Sequence, residues 1–342
     1  MTTTNSKNSG FINTVLFLHA LILVLLLMYW GKFLLIPFFF SFLLAVFLYP
    51  ISRWLEQHKL NRLFSSVVCI LLLFLFCAIV IYFLSSQFQR FVKDIPTLKD
   101  KITVPIKNFQ MWITEHYQVT KDTQADYLNK GFDNIFNAIG FTVSSSFALL
   151  IFITLTTFFT FYILLYRELL KNFILFPFNS GYKKKVTEIS LTLNETIASY
   201  IKGLLIEMVI LIILSSITLW ILGIKYAILI AFIAGILNII PYIGIYIATG
   251  FGMLITIADG TGQQSLELLL VFAVIHIIDA NVITPFIVGR RIKINPLATL
   301  IAVICGELIW GIPGMFLFIP LTAIVKIILE KMTSFESEKL VA

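Results

Sequence analysis

The sequence predicts an all-α polytopic membrane protein with about eight membrane segments, including two broken or re-entrant helical hairpins, and an outer amphipathic helical segment. Three observations carry this. The 342 residues are 59% hydrophobic and only 13% charged, outside the ordinary soluble range. Apolar stretches near 11–29, 32–50, 64–84, 143–165, 203–222 and 267–288 each approach the roughly 20 residues with which an internally bonded helix crosses hydrocarbon. Lysine and arginine gather in the loops between them, as orientation by positive charge requires.

Taken in order, residues 1–10 (MTTTNSKNSG) hold a single lysine and read as a cytoplasmic tail. The hydrophobic run from Phe11 nearly to Pro50 is too long for a signal-peptide core and has no clear Ala-x-Ala cleavage site, so it is expected to stay. It opens a first membrane region, 11–84, whose inner loop SRWLEQHKLNR carries Arg53, Lys59 and Arg62. The polar region 85–142 follows on the outer side. There Phe88, Phe91, Ile95, Leu98, Ile102, Ile106, Phe109 and Trp112 recur every three or four residues, an amphipathic stripe expected to bend or restart at Pro96 and Pro105. Its mixed Lys/Asp face suits a protein contact, within the chain or between subunits, better than a lipid surface.

A span at 143–166 leads to a basic cytoplasmic connector, 167–202, with Lys171, Lys183, Lys184, Lys185 and Lys202. Its segment YKKKVTEISLTLNETIASYIKG is expected to be helical. The C-terminal core, 203–329, contains two regions of about 30 residues, 227–257 and 297–329, that are awkward as single straight helices. In the first, GILNIIPYIGIY places Gly235, Pro241 and Gly244 at mid-membrane. Proline removes an amide donor and disfavours helix before it, so the freed backbone groups must be buried in protein or line a watery cavity.

Charge selects between a kink and a hairpin. One straight crossing of 227–257 would deliver Arg290, Arg291 and Lys293 to the outer side, whereas folding back at Pro241 restores them to the cytoplasm. A second fold-back at Gly311, Pro313 and Gly314 returns the tail, 330–342, to the same side. Lys184, Arg291 and the tail are then inside, and Thr97 and Thr114 outside. GILNIIPYIG and GELIWGIPG also echo each other, and broken segments in corresponding halves of a chain point to a transport site.

Ionised carboxylates are costly in hydrocarbon, so Glu207, Asp279 and Glu307 are expected to face protein or water and are the first ion-coupling candidates. His276 stands three residues before Asp279 on one helical side, and Asn281 three before Thr284, just ahead of Pro285. Asn238 and Asn281 offer amides that orient a ligand or bond between helices. A proton or cation relay and helix packing by internal hydrogen bonds both fit these residues.

Other classes fit less well. His276 and Asp279 lack an identified nucleophile and oxyanion pocket, and the four histidines form no recognisable metal-ligand cluster, so no enzyme is expected; a noncatalytic scaffold remains the bland alternative. The formal charge of +7 is explained by membrane orientation, with membrane lipids as partners and no nucleic acid. Cys69, Cys77 and Cys305 lie in hydrophobic runs and read as buried thiols. No P-loop is visible and no cofactor is expected, so passive or ion-gradient-coupled flux fits better than ATP hydrolysis.

The ordered set IPYIG at 240–244, DANVITPFIVGRRIKINPL at 279–297 and GELIWGIPGMFLFIPLTAIVK at 306–326 resembles the AI-2E family of bacterial membrane transport proteins, and the likeness in element order extends over about residues 12–330. Departures are Gly203-Leu204, where many relatives have Gly-Gln, and Cys305-Gly306-Glu307 in a region often richer in glycine. The resemblance implies a multi-pass transporter of the bacterial cell membrane (the inner membrane if Gram-negative) and a homo-oligomer, with a pentamer as the suggested form. It further implies export of a small polar solute such as autoinducer-2, or antiport of a monovalent cation, Na⁺ or Li⁺, against protons.

Overall fold

The computed structural model describes residues 4–117, 146–240, 243–287 and 294–341, and among these every regular element is helical. In chain order they are α1 (Thr4–Trp30), α2 (Lys32–Gln57), α3 (Arg62–Tyr117), α4 (Ser146–Leu165), α5 (Arg167–Leu175), α6 (Ser180–Ile221), α7 (Ala227–Leu237), α8 (Ile243–Asp259) and α9 (Gly262–Ile278). A π-helical segment, Asp279–Ile283, leads into α10 (Thr284–Ile287), and α11 (Pro296–Trp310) and α12 (Ile312–Val341) complete the described chain. Six stretches within α2, α3, α4, α6, α9–α10 and α12 are long and apolar enough to cross a membrane, and α7, α8 and α11 are shorter apolar helices.

Two expectations change. The outer segment does not restart at Pro96 or Pro105: α3 continues through both, and past the boundary expected at residue 84, as one helix. A proline removes only one helical hydrogen bond and strains one turn, so a long helix can absorb it. The basic connector likewise merges with the span after it, because α6 runs unbroken across Lys202. Arg290, Arg291, Lys293 and Pro241 lie outside the described residues.

The chain divides into two compact units. One comprises Met1–Tyr49, Leu155–Ile197 and Ile294–Ala342; the other comprises Pro50–Thr154 and Ala198–Lys293. In the first, α11 and α12 form an antiparallel hairpin turned at Gly311, whose φ of 68° favours a residue without a side chain. Pro313 sits in the first turn of α12, where an absent amide costs little. The Trp310 indole donates to the Met28 carbonyl at 2.8 Å, tying this hairpin to α1.

In the second unit α7 and α8 pack together as the other hairpin, with α3 and α9 against it. Eleven-residue α7 rises only about 16 Å, too short to cross hydrocarbon, so the geometry is that of a re-entrant arm. Its core includes Phe91 of α3, Leu219 of α6, Ile230 of α7, Ala248 of α8, and Leu268 and Phe272 of α9.

At the open end of this hairpin Lys225 bridges Asp259 and Asp94, 2.9 Å from the latter; Lys101 also pairs with Asp259, and the Tyr226 hydroxyl donates to Asp94. These contacts fasten α3 to both ends of the hairpin. The carboxylates of Asp259 and then Asp94 hold the Lys225 ammonium above the usual lysine range. A raised folded-state pKa gives a contribution that is complete below the ordinary lysine value, about 10.4, and fades only as pH climbs through the folded value. Lys225→Met is therefore expected to cost about 0–1 kcal/mol, since Lys225 is half exposed, by an amount constant from pH 6 to 9. Thermal unfolding of the two proteins across that range checks it; a gap that closes toward pH 9 would reject the assignment.

Candidate functional site

Four polar side chains, far apart in sequence, meet inside the second unit. Glu207 comes from α6, Asn238 caps α7 at the hairpin tip, Asp279 opens the π segment and Thr284 begins α10. Glu207 and Asp279 are only 5% and 6% exposed, which for carboxylates demands partners. The Asn238 amide donates to Glu207 Oε1 and to Asp279 Oδ2, at 3.3 Å each. The Thr284 hydroxyl lies 2.9 Å from Glu207 Oε1 and 3.4 Å from Asp279 Oδ1. One amide and one hydroxyl thus straddle a pair of carboxyl groups.

Local sequence explains each placement. A β-carbon on Gly235 would stand 2.4 Å from Ile212 Cγ1 and 3.1 Å from the Met208 carbonyl, so its absence lets α7 approach α6 one turn before Asn238. A β-carbon on Gly244 would stand 1.9 Å from the Leu237 carbonyl, so glycine there lets α8 begin directly against the tip. The two glycines of the interrupted segment therefore hold Asn238 over Glu207.

Pro285 acts differently from a break. The helix widens into the π segment just before it and continues to Ile287. A π turn accommodates a residue that lacks an amide and crowds the preceding turn. It also changes which residues align: Asp279 and Thr284, five apart, would diverge on an α-helix but share a side across a π turn.

The remaining candidates fall elsewhere. Asn281 is exposed and its amide donates to the Ile277 carbonyl at 2.8 Å, supporting the widened turn rather than the cluster. His276 lies beside the cluster, in a small cavity bordered by Asn238 and Asp279. Glu307 is exposed on α11, in the other unit, along with Gly311, Pro313 and Gly314. Two contributors were not among the site candidates. Thr284 was noted only for its three-residue spacing from Asn281 before Pro285, and Ser215, which lines the cavity, stands two turns after Glu207 on the same face of α6.

No lysine or arginine among the described residues forms an ion pair with Glu207 or Asp279. Two carboxyl groups this close in a low dielectric need a positive counter-charge, and a proton or a small cation held by oxygen ligands supplies one. A family model for the AI-2E family transporter matches residues 18–334.

The chain belongs to the AI-2E transporter family.

It is accordingly a multi-pass membrane protein of a transporter family. YrrI of Bacillus subtilis (strain 168), whose name gives transport without a substrate, is 25% identical over 86% of this chain and 85% of that protein. YueF of the same organism is 26% identical over 84% and 82%. The AI-2 transport protein TqsA of Escherichia coli (strain K12) is 22% identical over 94% and 93%.

Proposed function

We propose that this AI-2E family member exports a small polar solute, such as autoinducer-2 or a related metabolite, with flux coupled to an ion gradient at the Glu207–Asp279 pair. The observation that carries the coupling is a buried carboxyl pair, bridged by Asn238 and Thr284, at the tip of a re-entrant hairpin. The choice of solute is supported by likeness to TqsA, named for AI-2 transport. A second reading, antiport of Na⁺ or Li⁺ against protons, is favoured by the oxygen-only ligand set, which suits a hard cation. Both readings carry the bacterial cell membrane as the location, cytoplasmic termini, and a homo-oligomer.

Reconstituted vesicles separate them. An exporter moves autoinducer-2 or a related polar metabolite, whereas an antiporter exchanges Na⁺ or Li⁺ for H⁺ in its absence. Neither flux would leave the scaffold reading and overturn the proposal.

A further inference from the structure

One turn before Asp279 stands His276, and two turns after Glu207 stands Ser215; both line the small cavity, with Asn238, Asp279 and aliphatic side chains including Leu211 and Ile275. Two of its polar atoms are buried without a hydrogen-bond partner: Ser215 Oγ, on a residue only 1% exposed, and His276 Nδ1. Buried polar atoms are seldom left so.

The rest of the chain shows what these side chains ordinarily do. His19, His58 and His116 each place Nδ1 2.8–2.9 Å from the carbonyl four residues earlier. His276 alone of the four histidines does not. Thr160, Thr218, Thr249 and Thr322 likewise bond the carbonyl four residues back, at 2.7–2.8 Å, and Ser215 does not. Both atoms lack the local helical partner, and both residues line the same cavity.

Beyond this space the protein closes. Leu219, one turn further along α6, and Phe272, one turn earlier on α9, are 0% and 1% exposed and pack in the apolar core with Ile230 and Leu268. The cavity is bordered by Asp279 of the carboxyl pair, and one turn away along each helix lies the apolar core.

We propose that this cavity is a water site, with one water held between Ser215 Oγ, His276 Nδ1 and the Asp279 carboxylate. The site adjoins the carboxyl pair and stands apart from the coupling role proposed for that pair. Ser215 and the His276 ring hold the water in place. The groups facing the ring from the packed elements are Asp279, Glu207 beyond it on α6, Asn238 at the end of α7, and Tyr246 of α8, whose ring centroid is 6.3 Å away.

The test reads water rather than flux. The full chain in lipid bilayers, labelled with ¹⁵N-histidine, is examined by solid-state NMR with magnetisation transferred from water, and His276→Gln assigns the ring signal. Rapid transfer to His276 is expected. Ser215→Val, which fills the cavity, should slow it severalfold; Ser215→Ala, which leaves room for water but removes one ligand, should keep the transfer and shift the ring signal. Asp279→Asn should shift the same signal. Transfer to His276 absent in the wild-type protein, or unaltered by Ser215→Val in a folded sample, overturns the water site. Water contact without vesicle flux would overturn the coupling reading alone, and flux without water contact the water site alone.

Discussion

Glu207→Gln combined with Asp279→Asn is expected to lower ion-coupled flux at least about 100-fold while leaving the fold intact. Each carboxylate lost removes charge-assisted bonding of about 1.5–3 kcal/mol to the coupled ion, and about 1.4 kcal/mol is tenfold. The single variants should each cost about tenfold, and any departure of the double variant from their product measures the coupling through Asn238 and Thr284, which bond to both carboxylates. Stability should hold or rise, since the substitutions remove buried charge while keeping shape. Vesicle flux under an imposed pH gradient, with thermal unfolding alongside, measures both. Glu307→Gln is the control: that residue is exposed on α11 and belongs to the other unit, so its flux should equal the wild type. Unchanged flux and pH response in the double variant would reject the coupling role of the pair.

Gly314→Val is expected to prevent the second hairpin from closing and to abolish recovery of folded protein. A β-carbon there would lie 2.0 Å from the Gly306 carbonyl oxygen, and one on Gly306 would lie 2.3 Å from the Gly314 carbonyl oxygen. Backbone meets backbone at both, so no rotamer change relieves the clash, and the cost should exceed the about 1–3 kcal/mol of ordinary overpacking. Displacing α12 from α11 would also loosen the Trp310 ring, which rests on Phe39 and Phe318. Gly250→Ala separates this from a general intolerance of substitution: nothing stands within 4 Å of its β-carbon, and alanine should stabilise α8 by about 0.5–1 kcal/mol. Yield and monodispersity after solubilisation, then the thermal midpoint, read the outcome. A Gly314→Val protein as stable as the wild type would refute close backbone packing as the basis of this hairpin.

The interrupted segments were legible because Gly and Pro in a long apolar run conflict with a rule that acts residue by residue. Gly235, Gly244, Gly306 and Gly314 do stand where one helix closes on another. Proline was less readable: Pro96 and Pro105 suggested a bend or a restart, of which α3 shows no restart, and Pro285 is absorbed by a π segment. Whether a proline bends, widens or ends a helix depends on what packs around that turn, which lies outside the local sequence.

The sequence by itself determined the class of the molecule, its apolar helices and the places where two of them turn back. Hydrocarbon demands that each backbone group be bonded within its own segment, so these features follow from runs of neighbouring residues. Only the tertiary structure decided which polar groups meet. Glu207, Glu307 and Asp279 were equivalent as carboxylates in apolar runs, yet Asp279 bonds with Glu207, through an amide 31 residues from one and 41 from the other. That pairing is set by how closely Gly235 lets α7 approach α6 and by the widened turn after Asp279, two long-range packing outcomes with no periodic signature in the chain.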